Sequence, residues 1–480
     1  MMNTAMEVGL IYSTRRVGKL HTRGRDEQNV RGSGTHEPYK HARHEHREGQ
    51  RMKTQLNRVA TKAKLDTKEV FTSLAHLLTP SFLKETWQMI NKRGAPGIDK
   101  ETTTAFADQL EARVQKLYEQ LKTGRYKAPP VRRVEIPKDG GKKRLLGIPT
   151  VEDRLLQASV ARILSAIYEP VFLNCSWGYR PGKSAHGAIG ALRGYLIGRK
   201  VMQVFEADIR AYFDRVNHEW LRKMLRQKIT DPIILRLIDK WLSAGIMDNG
   251  VKISKDDGVP QGGPVSCILS NIYLHYVLDL WFEKRVKPSC KGEAHLVRYV
   301  DDFVACFQYM EDANNFGVWL KERFQKFHLE LAGEKTRTMT FGRFARERAK
   351  KFGQPIETFD FLGFTHICGK DKQGKFALIR LPRKKSCRKF LDRVKEWLLR
   401  HPHWDVWEQQ RQLISMLRGF YQYYALMHCK GKLDLIHDYV ERYWRRAIRR
   451  KSQRTKSQWN YLRTKKWFGL PYSKTIHLSI

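Results

Sequence analysis

Tyr299-Val300-Asp301-Asp302 sets two adjacent carboxylates between apolar runs, Leu296-Val297 before and Phe303-Val304 after. That pattern predicts a tight β-hairpin carrying both acids. A further acid, Asp208, stands upstream in Val204-Phe205-Glu206-Ala207-Asp208-Ile209-Arg210-Ala211-Tyr212-Phe213-Asp214. Hard divalent cations take oxygen ligands, and phosphoryl transfer at paired metals needs carboxylates from separate strands converging on one point. Alone, a Y-x-D-D tetrapeptide equally fits an ordinary exposed turn, so other segments must decide.

The charge balance narrows the partners. Across 480 residues, 90 Lys+Arg stand against 49 Asp+Glu, a net charge of +41. Such a field draws polyanions from a distance and makes their binding steeply salt-dependent. Solubility needs far less, about 2–8 charges for a small domain. Hydrophobic residues make up 41%, enough for real cores in two or three packed units. No run of about eighteen apolar residues occurs, so no membrane-spanning helix is expected. Met1 to Leu20 lacks an uninterrupted apolar core, so no signal peptide is expected. The cysteines at 175, 267, 290, 306, 368, 387 and 429 form no C-x-x-C pair. That spacing fits reduced thiols better than disulfides or a zinc module.

Residues 1–65 are rich in Arg, Lys, Gly and His and are expected to be a basic, disordered extension. The cluster His41, His44 and His46 lacks the H-E-x-x-H spacing and reads as solvated tail. From Lys68 the spacing of Val70, Phe71, Leu74, Leu77, Leu78, Phe82, Leu83, Trp87 and Ile90 predicts helix, and a further helix is expected from Thr104 to about Lys122. Val131–Pro137 and Lys143–Ile148, joined by Lys138-Asp139-Gly140-Gly141, predict a hairpin. Helix is expected from Arg154 to about Ala166. Beyond Lys384 the chain reads as helical and very basic.

The order of the remaining segments is specific. Gly94-Ala95-Pro96-Gly97-Ile98-Asp99 is followed by Lys143-Arg144-Leu145-Leu146-Gly147-Ile148-Pro149-Thr150 and Ser176-Trp177-Gly178-Tyr179-Arg180-Pro181-Gly182-Lys183-Ser184. After the Asp208 segment come Gly258-Val259-Pro260-Gln261-Gly262-Gly263-Pro264-Val265-Ser266, the acidic hairpin, Gly333-Glu334-Lys335-Thr336 and Phe359-Asp360-Phe361-Leu362-Gly363-Phe364. Together these resemble the reverse-transcriptase domain of bacterial group II intron-encoded proteins, the reverse transcriptase/maturases. The likeness runs from about Lys68 to beyond Gly363, and more weakly to Tyr472.

That resemblance implies an α+β right-hand polymerase. Residues 66–200 would form N-terminal helices and fingers interleaved with the palm, 201–370 an antiparallel-sheet palm, and 371–480 a basic helical thumb and maturase region. It implies two Mg²⁺ ions, or Mn²⁺, on Asp208 and Asp301, with the Ile209 carbonyl as a further ligand and Asp302 in support. Lys138 and Arg144 on the first hairpin would cover an incoming dNTP triphosphate. Gln261 would sit near its sugar and Lys335 near the pyrophosphate. Phe213 stands where the family blocks a ribose 2′-hydroxyl, although an aromatic there also suits plain core packing. Arg180 and Lys183 lack the spacing of a nucleotide-binding phosphate loop and are expected on the template strand.

Leu413, Met416, Leu417, Phe420, Tyr423, Tyr424 and Leu426 form an amphipathic stripe read as core. Arg445, Arg446, Arg449, Arg450 and Lys451 exceed one solvated face and are expected to contact nucleic acid. Tyr443, Trp444, Trp459, Tyr461 and Trp467 are interleaved as candidates for stacking on unpaired bases.

The resemblance thus implies RNA-directed DNA synthesis in the bacterial cytosol, near the nucleoid and without a membrane. The implied partners are intron RNA, a DNA target or primer, and dNTPs, and the implied roles include help in splicing and retrohoming. Two rivals stand beside it: an RNA-binding splicing cofactor with little polymerase activity, and an intron-like enzyme recruited to DNA repair or phage defence. Val300 departs from the family's commoner alanine, and Pro264 and Cys267 also differ. No Cys-pair or H-N-H-type segment occurs, so no endonuclease domain is expected.

Overall fold

The computed structural model describes residues 54–137, 143–248, 251–253, 257–450, 459 and 468–474. Lys138 and Lys451 therefore lie outside the described residues, as does most of the expected N-terminal extension. The last part of that extension differs from expectation: residues 54–65 are helical, and Ala63 is buried in the main core.

Eleven strands are described: β1 (Val131–Pro137), β2 (Lys143–Ile148), β3 (Gln203–Asp208), β4 (Ile246–Asp248), β5 (Val251–Ile253), β6 (Ala294–Tyr299), β7 (Asp302–Phe307), β8 (Arg337–Thr340), β9 (Thr358–Phe361), β10 (Phe364–Lys370) and β11 (Phe376–Pro382). The central sheet runs β6-β7-β3-β8 with every neighbouring pair antiparallel. A second sheet, β2-β1-β4-β5, contains the expected hairpin at its expected bounds, and a third runs β11-β10-β9.

Side chains alternate across a strand, so the central sheet feeds two cores. Phe205, Ala207, Phe303, Ala305 and Phe307 join the main core, where Phe316 of the Met310–Lys326 helix meets Phe205 edge-on with ring centroids 5.1 Å apart. Val204, Val297, Val304, Cys306 and Met339 face the other way. They join a core shared with the Ala185–Gly198 helix and the C-terminal helices Lys384–Arg400, Val406–Tyr424 and Lys430–Arg449. Leu413, Leu417, Phe420, Tyr424 and Leu426 are buried there, as their stripe predicts.

The Pro264–Ser289 helical segment is long and apolar enough to cross a membrane by length and composition, yet 78% of its apolar eighteen-residue window is buried inside the protein. It widens into π-helical turns at His275–Asp279 and Phe282–Val286.

Three boundaries differ from the sequence reading. Helix begins at Pro80, not Lys68: Thr79 caps it through a bond from the Phe82 N–H, and proline's fixed φ suits the first turn. Phe71, Leu74 and Leu78 are buried all the same, wrapped onto the core as irregular chain. The helix expected over 104–122 is broken at Gln109 into Thr103–Asp108 and Leu110–Lys122. The boundary placed at 370 falls inside the β10–β11 hairpin.

Candidate active site

Asp208, the last residue of β3, is the cross-strand partner of Asp302, the first residue of β7. Directly opposed residues of an antiparallel pair point to the same face, with Cβ atoms about 4.5–5.5 Å apart. Tyr299 of β6 pairs with Asp302 in turn, so Val300 and Asp301 are the two residues of the hairpin turn. All three expected carboxylates therefore gather at one corner of the central sheet, each half-buried. The donors are all oxygen, which suits a hard divalent cation. Among the described residues no group of three or more His, Cys, Asp or Glu is placed to hold an ion by itself. Such an ion would draw further oxygens from backbone and substrate, the ordinary habit of Mg²⁺.

The chain beyond Asp208 is anchored on one side. The Ala332 N–H donates to the Asp208 carbonyl (2.8 Å), and the Arg210 N–H donates to the Glu330 carbonyl (2.8 Å). Ile209, bridged to Leu331 between these bonds, has its side chain buried. Lys335 lies in the short turn Gly333–Lys335 directly after this segment.

On the other side the β1–β2 hairpin docks by its backbone. The Gly147 N–H donates to the Gln261 carbonyl (2.7 Å), and the Val259 N–H donates to the Phe213 carbonyl (2.7 Å). Gly262 sits at φ +127°, where a Cβ would come within 2.5 Å of the Gly147 carbonyl oxygen; only glycine permits that approach. The expected nucleotide residues Gln261 and Phe213 and the strand carrying Arg144 are thus joined around a small cavity lined by Arg133, Leu146, Gly147, Asp214 and Gln261. Phe213 packs into the main core, edge-on to Tyr212.

The hairpin turn is strained and held. Val300 has φ +60°, a left-handed conformation costing a β-branched residue about 1–3 kcal/mol. Gly178 lies against it so closely that a Cβ there would meet Val300 Cγ2 at 2.5 Å. Arg298, fully buried, donates from Nη1 to the Val300 carbonyl (3.0 Å) and Asn271 Oδ1 (3.1 Å). It donates from Nη2 to Ser176 Oγ (2.7 Å) and pairs bidentately with buried Asp279 at 2.7 and 2.5 Å. Burial alone would lower the Arg298 pKa, but the charge and hydrogen bonds of Asp279 raise it. Asn271 in turn donates to the Gly178 carbonyl (2.8 Å).

The neighbours are phenols. Burial, with a smaller contribution from Asp301, holds the Tyr212 hydroxyl above its usual pKa, and it donates to the Ser270 carbonyl (2.7 Å). Tyr423 of the Val406–Tyr424 helix is likewise raised, first by burial and more weakly by the charge of Asp302, so this C-terminal helix reaches the corner. Its hydroxyl donates to the Leu362 carbonyl (2.8 Å).

Two expectations are corrected. Arg180 is 6% exposed, and its guanidinium pairs with Glu169 (2.8 Å) and donates to the carbonyls of Leu173 (2.7 Å) and Ser176 (2.8 Å). Its donors are spent inside the protein, leaving none to aim at a template strand. Trp444 and Trp459 are buried and pack together with Phe468, so neither is a platform for bases. Tyr461 and Trp467 lie outside the described residues. Lys183 is half-exposed over the Trp177 ring, and Arg445, Arg446, Arg449 and Arg450 are exposed along one helix end.

The sequence reading passed over Arg298, Asp279 and Asn271. The available signal was chemical: an arginine inside an apolar strand and an aspartate inside an apolar helix each require a partner.

Comparison with known proteins agrees with this geometry. Residues 136–366 match the family described as reverse transcriptase (RNA-dependent DNA polymerase), and residues 387–467 match the group II intron maturase-specific domain. Protein YkfC of Escherichia coli (strain K12) is 37% identical over 228 residues, covering 45% of this chain and 59% of that protein. Group II intron-encoded protein LtrA of Lactococcus lactis subsp. cremoris is 38% identical over 234 residues, 47% of this chain and 38% of LtrA. An uncharacterized 91 kDa protein in the cob intron of Schizosaccharomyces pombe is 39% identical over 170 residues, 35% of this chain and 21% of that protein. The matches thus span between a fifth and three fifths of these relatives.

Proposed function

We propose, from this chain's membership of the group II intron-encoded reverse transcriptase/maturase family, that it copies RNA into DNA and binds the intron RNA it helps to splice and mobilise. The observation that carries this reading is the pairing of Asp208 with Asp302 beside the Asp301 turn.

Asp208 and Asp301 would hold the divalent ions, Mg²⁺ before Mn²⁺, with the Ile209 carbonyl completing the set and Asp302 in support. When bound, such ions supply charge neutralisation at the transferring phosphoryl group and lower the pKa of an attacking hydroxyl. The chain's own residues do the rest. The sheet corner fixes where a primer 3′-hydroxyl and the α-phosphate of a dNTP can meet, which is most of what phosphoryl transfer asks of a protein. Gln261 and the wall formed by Phe213 shape the sugar site, while Arg144, Lys138 and Lys335 offer cations to the triphosphate. Exposed Arg445, Arg446, Arg449 and Arg450 contribute to RNA affinity through phosphate contacts. Acting on intron RNA and a DNA target would put the protein in the bacterial cytosol, near the nucleoid.

Primer extension on an RNA template tests this. Extension should require a divalent ion, and Asp301→Ala should abolish it while leaving RNA affinity nearly intact. Retained synthesis in that variant would remove the site. RNA binding without extension by the unaltered protein would favour the splicing-cofactor reading, which the three juxtaposed carboxylates disfavour.

A further inference from the structure

Beneath the acidic turn lies a buried polar assembly that none of the roles above employs. Arg298 has all three guanidinium nitrogens engaged: Nε with Asp279, Nη1 with Asn271 and the Val300 carbonyl, Nη2 with Asp279 and Ser176. Only one of these acceptors, the Val300 carbonyl, belongs to the turn that carries Asp301. The others come from the Pro264–Ser289 helical segment and from residues 175–178, which run beside β6 through the Ser176–Arg298 bridge. The backbone adds two more ties, Arg298 N–H to the Cys175 carbonyl (2.7 Å) and Trp177 N–H to the Arg298 carbonyl (2.8 Å). A fold seeking stability alone would fill such a place with apolar side chains, since buried ion pairs seldom outperform them.

We propose that Arg298 is a positioning residue for the carboxylates: its bond to the Val300 carbonyl, braced by Asp279, Asn271 and Ser176, locks the left-handed turn and so sets Asp301 against Asp208. The contact spends rigidity where the backbone is least willing. Left-handed φ at a β-branched residue is a conformation that surrounding structure must over-determine. Released from the clamp, Val300 would relax toward negative φ and carry Asp301 away from its place beside Asp302. The inference rests on the polymerase reading above and adds the residue that holds its geometry.

Steady-state primer extension with the full chain tests it, with melting temperature and template–primer affinity measured alongside. Arg298→Lys keeps a cation for Asp279 but lacks the second nitrogen that reaches Val300. Its kcat should fall by about tenfold to a hundredfold, as a small misplacement of reacting groups does. The Mg²⁺ concentration for half-maximal rate should rise, while KM for dNTP and template–primer affinity stay within about twofold. Adding Val300→Gly, which adopts the left-handed turn without strain, should recover at least about threefold of the loss in the Arg298→Lys protein. Should Arg298→Lys fail to fold, Ser176→Ala removes one brace and leaves the ion pair; it should lower kcat by about twofold to fivefold with the same Mg²⁺ shift. A kcat unchanged in Arg298→Lys, or in Ser176→Ala where that variant stands in, overturns the proposal. So does a loss that Val300→Gly does not relieve and that Leu413→Ala, a thumb-core variant, reproduces at equal loss of melting temperature. Failure of the unaltered protein to extend would sink the polymerase reading itself. Extension abolished by Asp301→Ala yet normal in Arg298→Lys would sink the clamp alone.

Discussion

Asp208 and Asp302 face each other across β3 and β7, one closing its strand and the other opening its own. Neither strand could slip by one residue without sending its carboxylate to the opposite face and exchanging the side chains delivered to the two cores. The register that builds the two cores is therefore the register that builds the site.

A graded response to loss of these acids follows. Asp208→Asn and Asp301→Asn should each lower synthesis by at least about a hundredfold, because each removes an oxygen that a divalent ion needs. Asp302→Asn should cost less. Chelation should stop synthesis without shifting the melting transition, since the cores are assembled from side chains alone. Equal loss from all three variants would contradict the unequal roles.

Gly178→Ala presses a methyl against Val300 Cγ2 and the Val300 nitrogen. The turn has to yield, and kcat should fall by about tenfold while the protein stays folded. Circular dichroism together with single-turnover extension separates this from general destabilisation.

Arg180 and the helix-end arginines should behave as opposites. Arg180→Ala leaves Glu169 and two carbonyls without their donor and should cost on the order of 2–3 kcal/mol of stability. Glutamine at Arg445, Arg446, Arg449 and Arg450 should leave melting unchanged, weaken RNA binding, and reduce the salt dependence by roughly one unit of slope for each phosphate contact removed. Binding measured between low and physiological salt decides.

His366 is fully buried and stacked on Phe359. Burial, aided by the charge of Arg380, pushes its pKa down to about 3. The unfolded chain binds that proton near pH 6.5 and the folded protein does not, so stability is present above 6.5 and drains away as pH falls. His366→Leu removes this term. The variant should match or exceed the parent at pH 7, with an advantage growing by of the order of 1 kcal/mol between pH 6.5 and 5. Parallel denaturation curves at the two pH values would refute it.

What could be read in advance divides along physical lines. The acidic hairpin and the β1–β2 pair were legible because their apolar patterning and turns are local. Phe71, Leu74, Leu77 and Leu78 carry helical spacing and are buried, but beyond one 3-10 turn at Ala75–Leu77 they reach the core without regular helix, so burial was legible and conformation was not. The Thr79-Pro80 start signal was present and was outweighed by periodicity. Arg180 was misread because a basic residue in a Gly-Pro loop looks solvated until Glu169, eleven residues earlier, is known to fold against it. The clamp joins positions 176, 271, 279 and 298, and no local rule connects them.

Val204, Val297 and Val304 of the central sheet share one core with Phe390, Leu413 and Trp444, which lie in the last three helices. The two family matches are separate in sequence, yet the interval between them is no seam. Cutting the chain there would strip the underside of the strands that bear the carboxylates. A shortened form ending near residue 383 should precipitate or recruit a surrogate covering instead of behaving as a free-standing enzyme.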